Sequence, residues 1–205
     1  MENKECVKIC LLGKSGVGKT CIIKRFKDNQ FDEEMVPTLG GSYSVKNLTI
    51  NNKEVQCDLW DTAGQEKYHS ITKHFYKEAY IICLVYDITD GDSFKEIKEV
   101  WYEDLKKNGE KYTVIGLVGN KTDMYEKEQV NEEEARQYAE SIGALCMLVS
   151  AKNGDNINLL FEKLVAQYLG PEFSEKVEEI KKSKGEVAVI NKNDAKKQKN
   201  KKKCC

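Results

Sequence analysis

No apolar run in this 205-residue sequence reaches the ~18 residues that a membrane-spanning helix needs. The longest, 80–86 and 144–149, are of strand length. The opening Met1-Glu2-Asn3-Lys4-Glu5 offers neither the apolar core of a signal peptide nor the glycine at position 2 that myristoylation requires, so a cytoplasmic chain is expected. Cysteine is too sparse for a disulfide scaffold, with eight in the whole chain. Several of them (Cys10, Cys83, Cys146) sit inside apolar runs, as reduced core thiols do. Histidine is scarcer: His69 and His74 stand alone, without the Cys or Glu cluster of a zinc site, and read as exposed loop residues. Internal repeats are absent. Charge of one sign is also lacking overall, with a formal net charge of −1.

That balance hides a segregation. Residues 191–205 hold seven lysines and one aspartate, which leaves 26 basic and 33 acidic side chains, or −7, in residues 1–190. A mildly acidic body with a basic tail argues against a nucleic-acid-binding domain, which would carry its basic patch on the fold. At 40% hydrophobic the chain can bury a core, and its length suggests one domain plus a tail.

Residues 7–13 form an apolar run closed by glycine and read as a buried strand, followed by a helix over 19–28. Segments 43–50 and 54–60 alternate around Asn51-Asn52, a pair that tolerates positive φ, and predict an antiparallel hairpin. Runs 80–86, 114–119 and 144–149 are continuously apolar, as parallel strands covered on both faces are. Between them lie helical stripes: Phe94, Ile97, Trp101 and Leu105; Ala135, Tyr138, Ala139 and Ile142; then Ile157, Leu160, Phe161, Leu164, Val165 and Tyr168. Strand alternating with helix predicts a doubly wound α/β fold, a mainly parallel sheet with one antiparallel edge and helices on both faces. Gly170-Pro171 ends the last helix of the body. Beyond it, 172–184 is read as a polar helical extension, and disorder is expected from about Asn191.

Gly13-Lys14-Ser15-Gly16-Val17-Gly18-Lys19-Thr20 matches the G-x-x-x-x-G-K-[ST] phosphate loop, between a strand and a helix as that motif demands. Its backbone N–H groups can cradle phosphates, Lys19 can reach the β- and γ-phosphates, and the Thr20 hydroxyl can ligate Mg²⁺. Asn120-Lys121-Thr122-Asp123 follows the 114–119 strand at the carboxyl edge where such sheets bind ligands. The Asp123 carboxylate can accept both donors of the guanine Watson–Crick edge, which adenine does not present. Ser150-Ala151-Lys152 follows the next strand, where the Ala151 N–H suits guanine O6. Trp60-Asp61-Thr62-Ala63-Gly64-Gln65-Glu66 closes the second hairpin strand. There Asp61 can hold Mg²⁺ through water, Gly64 can offer an N–H to the γ-phosphate, and Gln65 can orient the attacking water.

These segments resemble the Ras superfamily of small GTPases over residues 6–170. Within it the chain is similar to the Rab family through Leu84-Val85-Tyr86-Asp87-Ile88-Thr89, Phe75-Tyr76-Lys77-Glu78-Ala79 and the terminal Cys204-Cys205. Gln65-Glu66-Lys67-Tyr68-His69-Ser70 and Thr38-Leu39-Gly40-Gly41-Ser42-Tyr43 resemble the endosomal Rab branch. The resemblance implies a six-stranded three-layer fold, with a GTPase domain over 1–170 and a flexible tail over 171–205. It implies GTP and GDP as ligands with Mg²⁺ as cofactor, held by Thr20, Thr38 and Asp61. Ser15, Cys21, Phe31 (against the guanine ring) and Pro37 join the nucleotide-binding set by the same similarity. Tyr43, Trp60 and Phe75 fall at the positions of an effector-binding aromatic triad; for Trp60, ordinary aromatic core is the alternative. The implied partners are an exchange factor, a GTPase-activating protein, effectors, a GDP dissociation inhibitor and a prenylation escort, around a monomer. Geranylgeranyl chains on Cys204 and Cys205, beside Lys201–Lys203, would anchor the chain to vesicle or endosomal membranes; two chains hold where one barely does.

Three departures bear on effector identity and leave phosphate, base and Mg²⁺ chemistry alone. Leu39-Gly40-Gly41-Ser42-Tyr43 is smaller and more polar than the usual Ile-Gly-Val-Asp-Phe, Glu78 replaces a usual glycine, and Tyr43 and Phe75 exchange aromatic type. A hydrolysing switch is favoured over a GTP-binding scaffold that hydrolyses nothing unaided, because Thr38, Gly64 and Gln65 all stand. A P-loop kinase or ATPase is argued against by Asn120-Lys121-x-Asp123.

Overall fold

A computed structural model describes residues 5–33, 38, 40–63, 75–108 and 114–174. The strands are β1 (Glu5–Leu12), β2 (Gly41–Ile50), β3 (Lys53–Thr62), β4 (Ile81–Asp87), β5 (Val114–Asn120) and β6 (Leu145–Leu148), in the order β2-β3-β1-β4-β5-β6. All pairings are parallel except β2 with β3. The helices are α1 (Lys19–Asp28), α2 (Gly91–Glu96), α3 (Tyr102–Asn108), α4 (Glu132–Ser141) and α5 (Ile157–Leu169). The expected doubly wound sheet with one antiparallel edge is what forms.

The continuous apolar runs follow from cover on both faces. Along β1, Val7, Ile9 and Leu11 enter one core with Ile22 and Phe26 of α1 and Phe161 of α5. Cys10 and Leu12 enter the other with Phe94, Trp101 and Ala135. β4 divides in the same way, Ile81, Cys83 and Val85 against Ile82, Leu84 and Tyr86. β6 differs from its expected two-sided cover: it borders the sheet, and all four of its residues are half-buried. The β2–β3 turn has the predicted chemistry, with Asn51 and Asn52 at φ 51° and 65°.

Two features depart from the sequence pattern. The Phe94–Leu105 stripe is buried as expected, but its middle, Ile97–Trp101, is a π-helical turn that separates α2 from α3. Past Gly170 (φ 129°) the chain leaves α5, and residues 171–174 form a further helical turn. That turn brings Phe173 against the α1–α5 core, so packing continues beyond residue 170. The rest of the predicted polar extension lies outside the described residues, as does the tail. No described helix is long and apolar enough to cross a membrane.

Candidate functional site

The carboxyl ends of β1, β3 and β5, with the loop after β6, open onto a cavity of about 560 Å³. Its floor is the loop from Gly13 to Gly18. Gly13 (φ +143°) is dictated by contact: a Cβ there would stand 2.1 Å from the Val85 carbonyl oxygen. The Lys19 side chain curls back across the loop and donates to the carbonyls of Gly13 (2.6 Å) and Lys14 (3.0 Å). It is only 5% exposed, and that burial lowers its pKa to about 8. The side chain of Lys14 turns away to pair with Asp90 at 3.0 Å.

Beside the loop, three oxygen-bearing side chains converge. The Thr20 hydroxyl donates to Asp61 Oδ2 at 2.6 Å and lies 2.8 Å from the Thr38 hydroxyl. Thr38 in turn donates to the same carboxylate oxygen at 3.5 Å. Asp61 is 1% exposed; burial raises its pKa, and the Thr20 hydrogen bond and the Lys19 charge oppose that. Its Oδ1 is buried without a hydrogen-bond partner. An orphaned carboxylate oxygen beside two hydroxyls is hard-donor chemistry, which fits a magnesium ion.

At the far end, Asn120 links two loops. Its Nδ2 donates to the Val17 carbonyl (2.8 Å), and its Oδ1 accepts the Ala151 N–H (3.1 Å). The Ala151 N–H that sequence reasoning assigned to guanine O6 is thus engaged by Asn120 here. Asp123 Oδ1 accepts the Ser150 hydroxyl at 2.6 Å. Lys121, in left-handed backbone (φ 70°), reaches Asp87 at 2.6 Å. Lys152 reaches Glu33 at 2.5 Å across the cavity mouth.

Of the residues singled out, Ser15, Gly16, Gly18, Lys19, Thr20, Cys21, Phe31, Thr38, Asn120, Lys121, Asp123, Ala151 and Lys152 line this one cavity. Asp61 and Ser150 do not; each is buried and hydrogen-bonded to a residue that does. Val17, also buried, offers its carbonyl to Asn120. Pro37, Gly64, Gln65, His69, His74, Cys204 and Cys205 lie outside the described residues. Sequence reasoning missed Asp32, Glu33, Thr62 and Met124 among the lining, and Asp87 behind it. Asp87 ends a buried strand at the ligand-binding edge, a position that could have flagged it.

Tyr43, Trp60 and Phe75 do meet, with ring centroids 5.2 Å apart for the first pair and 5.7 Å for the second. Tyr43 is 52% exposed, whereas Trp60 is half-buried against the second core with the Lys8 ammonium 4.8 Å from its ring centroid. Gly41 explains one departure in the preceding segment. A Cβ there would stand 2.7 Å from Phe75 and 2.9 Å from the Asp61 carbonyl oxygen.

A phosphate loop at the first strand–helix junction, under a cavity at the carboxyl edge of a doubly wound sheet, defines a P-loop nucleotide-binding protein. The Ras family matches residues 8–170 of the chain. Ras-related protein Rab-31 of Mus musculus is 41% identical over 168 residues, 81% of this chain and 86% of its own. Ras-related protein RabC of Dictyostelium discoideum is 43% identical over 169 residues, covering 80% and 85%. Ras-related protein Rab-22A of Homo sapiens is 39% identical over 155 residues, covering 76% and 79%. The chain belongs to the Ras family and is a Rab-like, GTP-hydrolysing small GTPase.

Proposed function

We propose that this chain is a GTP/GDP-cycling switch for endosomal membrane traffic, with the cavity above as its nucleotide site. The observation that carries the reading is the meeting around one cavity of a buried lysine on the phosphate loop, the Thr20–Thr38–Asp61 oxygen cluster, Asn120 and the Ser150–Asp123 pair. In this reading the triphosphate lies on the loop amides with Lys19 against its β- and γ-oxygens. Thr20, Thr38 and Asp61 would hold Mg²⁺, which would supply positive charge to offset that developing on the phosphates. Phe31 packs on the guanine, and Asp123 accepts its N1–H and 2-amino donors. Gln65 orients a water that attacks the γ-phosphorus; the bond to the bridging oxygen breaks, yielding GDP and phosphate. Thr38 and Gly64 contact the γ-phosphate only in the triphosphate state, so hydrolysis releases both of their segments.

The same reading divides the chain into a GTPase domain over 1–170 and a tail over 171–205. The tail carries two prenylated cysteines, with Lys201–Lys203 attracted to anionic lipid. Regulators and effectors act at the switch segments and at Tyr43, Trp60 and Phe75, while a GDP dissociation inhibitor shields the lipids of the GDP form. The test is displacement of bound fluorescent GDP in Mg²⁺. GTP displaces it and ATP does not, and Thr20→Asn loses triphosphate affinity. Equal loading of GTP by that variant refutes the phosphate-loop assignment.

A further inference from the structure

Arg25 belongs to no motif in the sequence. It lies in the last turn of α1, and all three of its guanidinium nitrogens donate hydrogen bonds. Nε donates to the Ala151 carbonyl at 2.9 Å and Nη2 to the Lys152 carbonyl at 2.6 Å. Nη1 donates to the Asn29 carbonyl at 2.8 Å and to Asn29 Oδ1 at 3.1 Å. The stem packs too: Arg25 Cδ is 3.5 Å from where a Cβ on Gly154 (φ +87°) would stand.

These contacts close a ring. From the Val17 carbonyl the chain of hydrogen bonds runs to the Asn120 amide, then to the Ala151 N–H, and from the Ala151 carbonyl to Arg25. α1 returns from Arg25 to Gly18, next to Val17, as one rigid rod of ten residues. The phosphate loop and the base-side loop are thereby held at a set separation from two directions. The ring has a spur, because Asn29 caps α1 just before Phe31, which lines the cavity.

We propose that Arg25 is a positioning residue for guanine nucleotide: it sets the base-side loop against the phosphate loop, and so governs nucleotide residence and base selectivity. The proposal rests on the nucleotide-site reading given above. The chemistry explains why arginine is used. A planar guanidinium presents donors in several fixed directions, and here they grip two successive carbonyls and the helix cap together; a lysine ammonium is a point donor and cannot span all three. Without the fork, the 151–152 carbonyls lose two charge-assisted hydrogen bonds. Ser150, whose hydroxyl orients Asp123, sits one residue away from Ala151 on the freed loop.

The experiment uses the full chain in Mg²⁺ with Arg25→Met, which keeps the apolar stem, and Arg25→Lys, which keeps the charge. Two quantities are read: the release rate of fluorescent GDP, and the preference for GDP over IDP, which lacks the 2-amino group that Asp123 would accept. Release is expected to accelerate about tenfold in Arg25→Met, the scale of losing a charge-assisted hydrogen bond, and less in Arg25→Lys. The GDP-over-IDP preference is expected to fall several-fold in the same order. Lowered thermal stability with wild-type release and wild-type preference overturns the proposal, because a merely structural tie would do that. If the wild type itself does not prefer GDP over IDP, the Asp123 reading fails, and Arg25 is then judged on release rate alone. Should Arg25→Met not fold, Arg25→Lys and Arg25→Gln carry the same two readings.

Discussion

Glu78→Gly should stabilise this protein, because Glu78 occupies left-handed backbone at φ 59° with its side chain exposed. The local ties prevent relaxation. The Lys77 carbonyl just before it accepts the Lys8 ammonium at 2.6 Å, the Ala79 N–H donates to the Tyr76 carbonyl at 3.0 Å, and the Tyr80 N–H donates to the Lys8 carbonyl at 3.0 Å. An L-residue pays about 1–2 kcal/mol in this region, which glycine avoids. Glycine returns about 0.5–1 kcal/mol of that through the greater freedom of its unfolded chain. The net gain is about 0.5–1 kcal/mol, or a rise in Tm of about 1–4 °C for a chain of this length. Thermal unfolding followed by circular dichroism at fixed, saturating GDP and Mg²⁺ measures it, since ligand concentration itself moves Tm. Glu78→Ala is the control: it removes the same carboxylate but keeps Cβ, and should stay near wild type. A glycine variant less stable than wild type, or an alanine variant that gains as much, would refute the backbone argument.

Four further outcomes test the site and the tail. Asp123→Asn replaces one acceptor by a donor and should shift preference from guanine to xanthine nucleotides in a competition assay; unchanged GTP preference sinks the guanine assignment. Gln65→Leu should leave GTP affinity nearly unchanged while slowing single-turnover hydrolysis by roughly one to two orders of magnitude, since only transition-state positioning is lost. Equal rates would mean that another residue orients the water. Replacing Cys204 and Cys205 by serine should move the protein wholly to the soluble fraction with GTP binding intact, and a double-serine form that still sediments with membranes contradicts the lipid-anchor reading. Converting Lys201, Lys202 and Lys203 to glutamine should weaken attachment by about 1 kcal/mol per lysine, more visibly at low salt.

The legible parts of this protein were the ones written within a few residues of chain. A strand closed by glycine and followed by a lysine-bearing helix start, the Asn51-Asn52 hairpin, and the stripes from Phe94 to Leu105 and from Ile157 to Tyr168 all express local backbone preference and side-chain period. The same locality located Asn120, Asp123 and Ser150 at strand ends, where a doubly wound sheet opens. Periodicity said nothing of the π turn at Ile97–Trp101, because the buried stripe continues through it. Nor could it say that β6 lies at the border and takes cover only in part, since strand order belongs to the sheet and not to any strand.

The working detail of the site is where tertiary structure decided. Ala151 N–H reads as a free donor in the sequence, yet Asn120, 31 residues away, accepts it. Arg25 belongs to no sequence motif, yet two of the carbonyls it grips are 126 and 127 residues distant. The pairing of Lys121 with Asp87 and of Lys152 with Glu33 likewise needs several elements to be docked first. Residue type and spacing therefore established which chemistry this chain can hold. Which atoms meet to hold it depended on strand order, register and the seating of α1, because a hydrogen bond is decided within a few tenths of an ångström and only the packed core sets positions that finely.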